Sequence, residues 1–322
     1  MADVTQTPPQ PSESLALEVP IWQKRIRLIW RQVRNNISLF AENPIGLIGL
    51  GIIFIYAMMI VIYPLLIGNV WDPNIYHPVV GIDQSLPFHP AAPSSDHLLG
   101  TDPLGRDILS QLMFSTRTAF ILGIVASTVT LIVATSIGAV SAYYGGIVDT
   151  IFMRTADLMI MTPTITILIV LGALISLDIF DLAVVIGLLS GLGAATIIIK
   201  SQALTIKVRT YIEAARVAGG SNFHIITKHI IPNLLPISFL YMMFTVSAAI
   251  GIEAVLSFFG LLDIRMSWGL MIRTTEYSGY LLDFSKWWLI FPASLSISLL
   301  TAAFYLVGRA LDEIVNPRLR KR

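Results

Sequence analysis

The chain has 322 residues, 55% of them hydrophobic and only 13% charged, with a mean hydropathy of +0.76 and a net charge of +1. Soluble domains carry roughly a quarter charged residues, so most of this surface is solvated by lipid, and a near-neutral charge gives no footing for a nucleic-acid partner. Cysteine is absent, which excludes disulfides, thiolate metal centres and cysteine catalysis.

Residues 1–20 form a polar tail rich in Pro, Ser and Gln, expected to be disordered. No cleavable signal peptide is evident, because the first apolar run starts only near Ile45. Residues 21–44 carry Lys24, Arg25, Arg27, Arg31 and Arg34 among Trp22, Ile26, Ile29, Trp30 and Val33. That mixed three- and four-residue spacing predicts a helix lying in the headgroup layer; the two tryptophans argue against a merely solvated basic helix.

Six apolar runs of at least 18 residues follow: Ile45–Ile67, Ala119–Tyr144, Leu158–Leu177, Leu182–Ile199, Ile237–Leu262 and Trp288–Val307. Each is close to the length a bilayer requires, so the expected fold is all-α with six transmembrane helices. With the N-terminus in the cytoplasm, the inner segments hold sixteen of the 21 basic residues. The outer segments hold Arg106, Arg117, Arg265, Arg273 and Lys286. The positive-inside rule therefore puts both termini, including the basic tail 309–322, in the cytoplasm.

The outer segment 68–118 is proline-rich at first, then reads His97-Leu-Leu-Gly-Thr-Asp-Pro-Leu-Gly-Arg-Asp107 before a short helix, Ile108–Ser115, leading into the second span. Asp102 and Asp107 beside Arg106 suggest local caps and an ion pair rather than a catalytic pair. Within the cytoplasmic segment 200–236 lies a polar interruption, Tyr211–Pro236, that predicts helix, glycine break, helix and proline stop. Glu213, Ala214, Ala215 and Arg216 favour helix, Gly219-Gly220 releases the backbone, and Ser221 is an N-cap for a second helix ending before Pro232 and Pro236. A helical hairpin between spans, polar on one face, is suited to touch something soluble.

Three motifs in this order resemble one family. Leu99-Gly-Thr-Asp-Pro-Leu-Gly-Arg-Asp107, with Gly100, Thr101, Asp102, Gly105, Arg106 and Asp107, is similar to the signature before the core spans of permease subunits in the oligopeptide/dipeptide/nickel group of ATP-binding-cassette importers. Glu213-Ala-Ala215 with Gly219, then His229-Ile-Ile-Pro-Asn233 (including Pro232) and Pro236, resembles the loop by which such permeases engage their ATPases. Phe291-Pro292 through Gly308, with Asp312 and Asn316-Pro-Arg318, resembles the family's last span and tail, and Phe40–Ile55 resembles the extra N-terminal span (here 45–67) of its C-type subunit. One departure is the short link Leu261–Gly269, where relatives usually have a longer, proline-bearing one.

The resemblance implies a type I importer permease fold in the inner membrane, with a five-span core at 119–308. It also implies a heterodimer with a homologous B-type permease, two ATPase subunits that bind ATP and Mg, and an extracytoplasmic solute-binding protein. Di- or oligopeptides are the expected substrates, with oligosaccharides or nickel as alternatives. The hairpin is expected to dock in an ATPase cleft, Ala214 and Ala215 permitting close approach and Glu213 and Arg216 offering charge. No cofactor or metal is expected on this chain itself.

Other features have bland readings beside sharp ones. Glu253, deep in the fifth run, could line the pathway, bind a peptide ammonium, hold a gate, or brace the bundle. Glycines 46, 49 and 51, and 187, 191 and 193, are spaced for close helix packing rather than for a dinucleotide. Pro163 is expected to kink the third span, and Arg154 to pair with Asp157 three residues on. His77, His89 and His97 with Asp83 and Asp96 match no compact metal-ligand spacing. No G-x-x-x-x-G-K-[ST] phosphate loop, nucleophile–base pair or H-E-x-x-H is present, so the expected role is non-catalytic. A stand-alone secondary transporter or an intramembrane enzyme would need repeats or converging polar groups that the sequence lacks.

Overall fold

The computed structural model describes residues 37–315, together with Arg27, Trp30 and Arg34. Expectations for residues 1–20, most of the basic segment 21–36 and the tail from 316 lie outside the described residues. Arg27, Trp30 and Arg34 are helical and exposed.

Asn43 starts the first long helix, α1 (Pro44–Leu66), by accepting the Gly46 amide at 3.0 Å, with Pro44 in the first turn where its missing N–H costs nothing. A single turn, α2 (Pro73–Tyr76), follows in the outer segment. The central member is α3 (Ile108–Tyr144), 37 residues long. The separate short helix expected over Ile108–Ser115 does not exist as such, because no breaker separates it from the span and α3 runs through both.

Two of the six apolar runs are broken. The third divides into α4 (Gly146–Met161) and α5 (Thr164–Leu174), 82° apart, and the fourth into α6 (Ile179–Leu192) and α7 (Ala194–Lys207), 44° apart. Pro163 sits at the first break, where Thr162 Oγ1 donates to the Leu158 carbonyl at 2.8 Å; Gly193 sits at the second, where Thr196 Oγ1 donates to the Gly191 carbonyl. The Leu158 carbonyl also accepts the Thr162 amide at 3.2 Å, so the Thr162 hydroxyl adds a second bond to an acceptor already served. Helix α5, with 11 residues, is about 16 Å long and cannot cross a hydrocarbon layer of about 30 Å by itself. Among the described residues four helices are long and apolar enough to cross unbroken: α1, α3, α9 (Asn222–Phe259) and α11 (Phe291–Val315), the last crossing over Phe291–Ile314.

Helix α3 packs on α6, α7 and α9, while α1 lies outside, against α11 and α3. Small residues set these distances. A Cβ on Gly187 would stand 2.6 Å from the Ala126 carbonyl and one on Gly191 3.0 Å from Val133, both on α3. On α1, a Cβ on Gly46 would meet Ala310 at 2.6 Å and one on Gly49 the Ala303 carbonyl at 2.7 Å, both on α11. Without a hydrophobic force between helices in lipid, such close approach maximises dispersion and is what holds the bundle. Gly51 has nothing within 4 Å and so does not serve helix packing as expected, whereas a Cβ on Gly193 would lie 3.2 Å from the Leu189 carbonyl and 3.8 Å from Met159 Cβ of α4.

Replacing Gly187 by Val is therefore expected to remove about 1–3 kcal/mol or prevent assembly, whereas Gly51→Ala should leave stability unchanged. Thermal unfolding of both variants in detergent compares them directly; equal stability would show that the α3–α6 contact is not limiting.

Candidate functional site

The polar hairpin begins with α8 (Thr210–Val217). Its end is a Schellman stop: the Gly220 amide donates to the Ala215 carbonyl at 2.9 Å and the Gly219 amide to the Arg216 carbonyl at 3.0 Å. Gly219 takes φ +83°, a left-handed conformation that a Cβ disfavours. Ser221 then caps α9 by accepting the His224 amide at 3.2 Å.

The proline stop is overturned. Helix α9 passes through a π-turn at Ile226–Ile230 and continues past Pro232 and Pro236 as one helix to Phe259. Ile225, Ile226, Ile230 and Leu234 are buried against Ala139, Ala142 and Tyr143 of α3 and Ile199, Ala203 and Ile206 of α7. A proline inside a helix costs about 3 kcal/mol, while each fully buried Ile or Leu contributes about 1.5–3 kcal/mol, so four such side chains outweigh two prolines. Asn233 Nδ2 donates to the His229 carbonyl at 2.6 Å, one turn back along the helix.

The hairpin is thus fixed on one face and bare on the other. Ile212 is fully buried, Tyr143 Oη donates to Asn222 Oδ1 at 2.7 Å, and Lys207 Nζ donates to the Ala142 carbonyl at 3.0 Å. The Arg216 guanidinium lies 5.9 Å from the centre of the Tyr143 ring. Glu213, Ala214, Ala218, Pro232 and Asn233 are exposed, Ala215 and His229 are half-buried, and Val217 and Phe223 project at 89% and 76% exposure. The sequence reading stressed polar residues here and missed these two apolar side chains, although a Val and a Phe flanking a glycine turn were visible.

At the opposite end, the signature Gly100–Asp107 is a closed clamp on the start of α3. Asp102 accepts the Leu104 and Arg106 amides, both at 2.9 Å, Arg106 Nε at 2.7 Å and Gln111 Nε2 at 2.9 Å. Its ion pair with Arg106 is buried. Asp107 caps α3 through the Ser110 amide at 2.7 Å and lies 2.8 Å from His97 Nδ1, whose Nε2 is 3.2 Å from Asp83. Burial raises the Asp107 pKa above its ordinary value, while the Ser85 hydrogen bonds lower that of Asp83. Thr101 accepts the Ala91 amide at 2.8 Å. Gly100 and Gly105 take φ of +75° and +85°, and a Cβ on Gly100 would stand 2.6 Å from the Ala91 carbonyl. Of the histidines weighed for a metal, His97 is in this clamp, His89 contacts Thr101, and His77 Nδ1 faces the Val79 amide. Among the described residues no cluster of three His, Asp or Glu is placed to hold a metal ion.

Glu253 of α9 is 2% exposed and accepts from Ser257 Oγ at 2.5 Å. Ser267 Oγ donates to Ser257 Oγ at 3.0 Å and itself accepts the Leu270 amide at 3.2 Å as the N-cap of α10 (Trp268–Tyr277). A continuous donor chain therefore runs from a helix amide to the buried carboxyl. Beside it a Cβ on Gly269 would stand 2.4 Å from the Ala254 carbonyl, and buried Trp268 donates Nε1 to the Leu112 carbonyl at 3.2 Å. Arg154 pairs with Asp157 at 3.4 Å on an exposed face, where such pairs contribute little.

Residues 134–321 match the family described as the binding-protein-dependent transport system inner membrane component. This match spans more than half of the chain. The protein belongs to that family. It is 32% identical to the dipeptide transport system permease protein DppC of Bacillus subtilis over 91% of this chain and 85% of that protein. To the oligopeptide transport system permease protein OppC of Haemophilus influenzae it is 30% identical over 96% of this chain and 94% of that one. The corresponding OppC of Lactococcus lactis subsp. cremoris is 32% identical over 84% and 87%.

In this permease the link after α9 is held by the Asp263 amide, which donates to the Leu177 carbonyl at 3.0 Å and so ties the C-terminal end of α9 to the α5–α6 turn. Ser257, four residues beyond Glu253 on the same helix face, was legible and overlooked, whereas Ser267 joins it only when α10 folds back on α9. The donor chain gives a sharp expectation. Glu253→Gln keeps an acceptor for Ser257 and should fold normally, whereas Glu253→Leu strands that hydroxyl and should cost about 1–3 kcal/mol. Transport within twofold of wild type by the Gln variant between pH 6 and 8 would fit a brace; a pH-dependent loss would give the carboxyl a role in the pathway.

Proposed function

We propose that this permease is one half of the translocation pathway of an ATP-driven, binding-protein-dependent importer of di- or oligopeptides in the inner membrane. The observation that carries the coupling is the hairpin, rigid toward the bundle and bare toward solvent, with Glu213, Ala214, Val217 and Phe223 exposed. A segment locked by Ile212 and Ile225 to α3 and α7 transmits displacement instead of absorbing it. The names of the relatives support peptides as cargo, and the excess of basic residues in the segments facing the hairpin side supports cytoplasmic termini. Counting each bent pair as one crossing gives six spans.

In this reading ATP binding and hydrolysis, with Mg, occur on two partner ATPase subunits that grip the 211–236 hairpins of this chain and of a homologous B-type permease. Closure of the ATPases moves the hairpins and opens the pathway toward an extracytoplasmic solute-binding protein; hydrolysis restores the inward state. This chain contributes position and leverage, not chemistry.

Gly219→Pro forces φ from +83° to about −65°. It should reduce peptide uptake by an order of magnitude or more while the complex still assembles, with Glu213→Lys acting in the same direction. Because the native chain has no cysteine, Glu213→Cys reports sidedness cleanly. An impermeant maleimide should label it only in inside-out vesicles; labelling from outside the cell would end the proposal.

A further inference from the structure

Where α1 meets α3, a crevice of about 260 Å³ is lined by Ile60, Tyr63, Pro64, Ile67, Phe114 and Arg117, with Met113 at its floor. Its walls are apolar, and Tyr63 and Phe114 form an edge-to-face pair at 5.7 Å across it. Arg117 is the exception. It is exposed, and among the described residues it has neither an ion pair nor a hydrogen-bond acceptor.

Depth fixes what the guanidinium meets. Arg117 precedes Tyr144 by 27 positions in α3, which is about 40 Å of helix and matches a bilayer including both headgroup layers. Tyr143 and Tyr144, at the hairpin end, have the amphipathic character of one interface. Arg117 then lies at the other, beside the last two turns of α1, which end at Leu66. Pro64 cannot donate to the Ile60 carbonyl, so the crevice wall also carries a backbone acceptor without its usual helical donor.

We propose that this crevice is a phospholipid site: Arg117 binds the phosphate of an outer-leaflet lipid, and an acyl chain fills the space between α1 and α3. An unpaired cation at headgroup depth next to an apolar slot fits a molecule with a phosphodiester at one end and a hydrocarbon at the other. Phosphatidylglycerol suits it better than a zwitterionic lipid, because no headgroup cation competes with Arg117 and its hydroxyls can serve the Ile60 carbonyl. The chemistry of the site does not depend on the cargo; only its assignment to the outer leaflet rests on the orientation proposed above. The lipid would wedge the peripheral α1 onto the core.

Native mass spectrometry of the purified importer complex, titrated with dioleoyl-phosphatidylglycerol, dioleoyl-phosphatidylcholine and dioleoylglycerol, tests this. The wild-type complex should bind phosphatidylglycerol at least fivefold more tightly than an Arg117→Gln complex, with Arg117→Lys between them and dioleoylglycerol unaffected by either change. Equal phosphatidylglycerol affinity in wild type and Arg117→Gln would overturn the site. So would dioleoylglycerol binding as tight as phosphatidylglycerol to wild type, a comparison that needs no variant to fold. Peptide uptake is not the readout, so loss of lipid binding and failure of the importer reading are separable.

Discussion

A helix of 37 residues is about 55 Å long, whereas a bilayer with its headgroups is about 40–45 Å thick. Helix α3 therefore must protrude, and the two protruding ends are where the molecule is most polar and most tightly tied. At one end, Asp107, His97, Asp102 and Arg106 clamp its first turn. At the other, Ala139, Ala142 and Tyr143 form the bed on which the hairpin rests. One rod thus joins the clamp to the hairpin, and α6, α7, α9 and α1 are assembled around it.

Within lipid the limiting requirement is that no polar group be left unpaired. At several points the bundle meets it through local pairing, although Ser115 Oγ, Ser141 Oγ and Thr301 Oγ1 are buried without a partner among the described residues. Thr162 and Thr196 serve carbonyls at the two helix breaks, Thr135 Oγ1 donates to Ser238 Oγ at 2.7 Å between α3 and α9, and Glu253 ends a donor chain that begins at the cap of α10. The Ser267-Trp268-Gly269 triplet has three separate physical jobs. Serine caps α10 and feeds the chain to Glu253, tryptophan fills the outer core against Tyr56 at 5.6 Å, and glycine lets α10 touch the backbone of α9. Each job fails with a different substitution, which is why the triplet cannot be read from any single propensity.

Rigidity and breaks are distributed unevenly. The unbroken helix α9 packs on both α3 and α11, while the 82° and 44° bends fall in the runs on either side of the turn at Leu177–Asp178.

Composition and the lengths of the apolar runs determined that the chain lives in a membrane as helices, because lipid leaves the backbone no alternative. The glycine turn at 219 and the kink at Pro163 were equally legible: φ beyond the reach of a Cβ and a missing amide are properties of single residues. Tertiary structure decided the rest. Pro232 and Pro236 looked like a stop, yet burial of Ile225, Ile226, Ile230 and Leu234 on α3 and α7 carried the helix through, and no local signal reveals a partner surface supplied by two other helices. Gly51, two residues on from Gly49, is turned to the far side of α1 and faces nothing, while what stands opposite Gly49 on α11 only packing could say. Glu253 could be recognised as costly from sequence alone, with Ser257 one turn on along the same face, while Ser267 joined the chain only when α10 folded back onto α9.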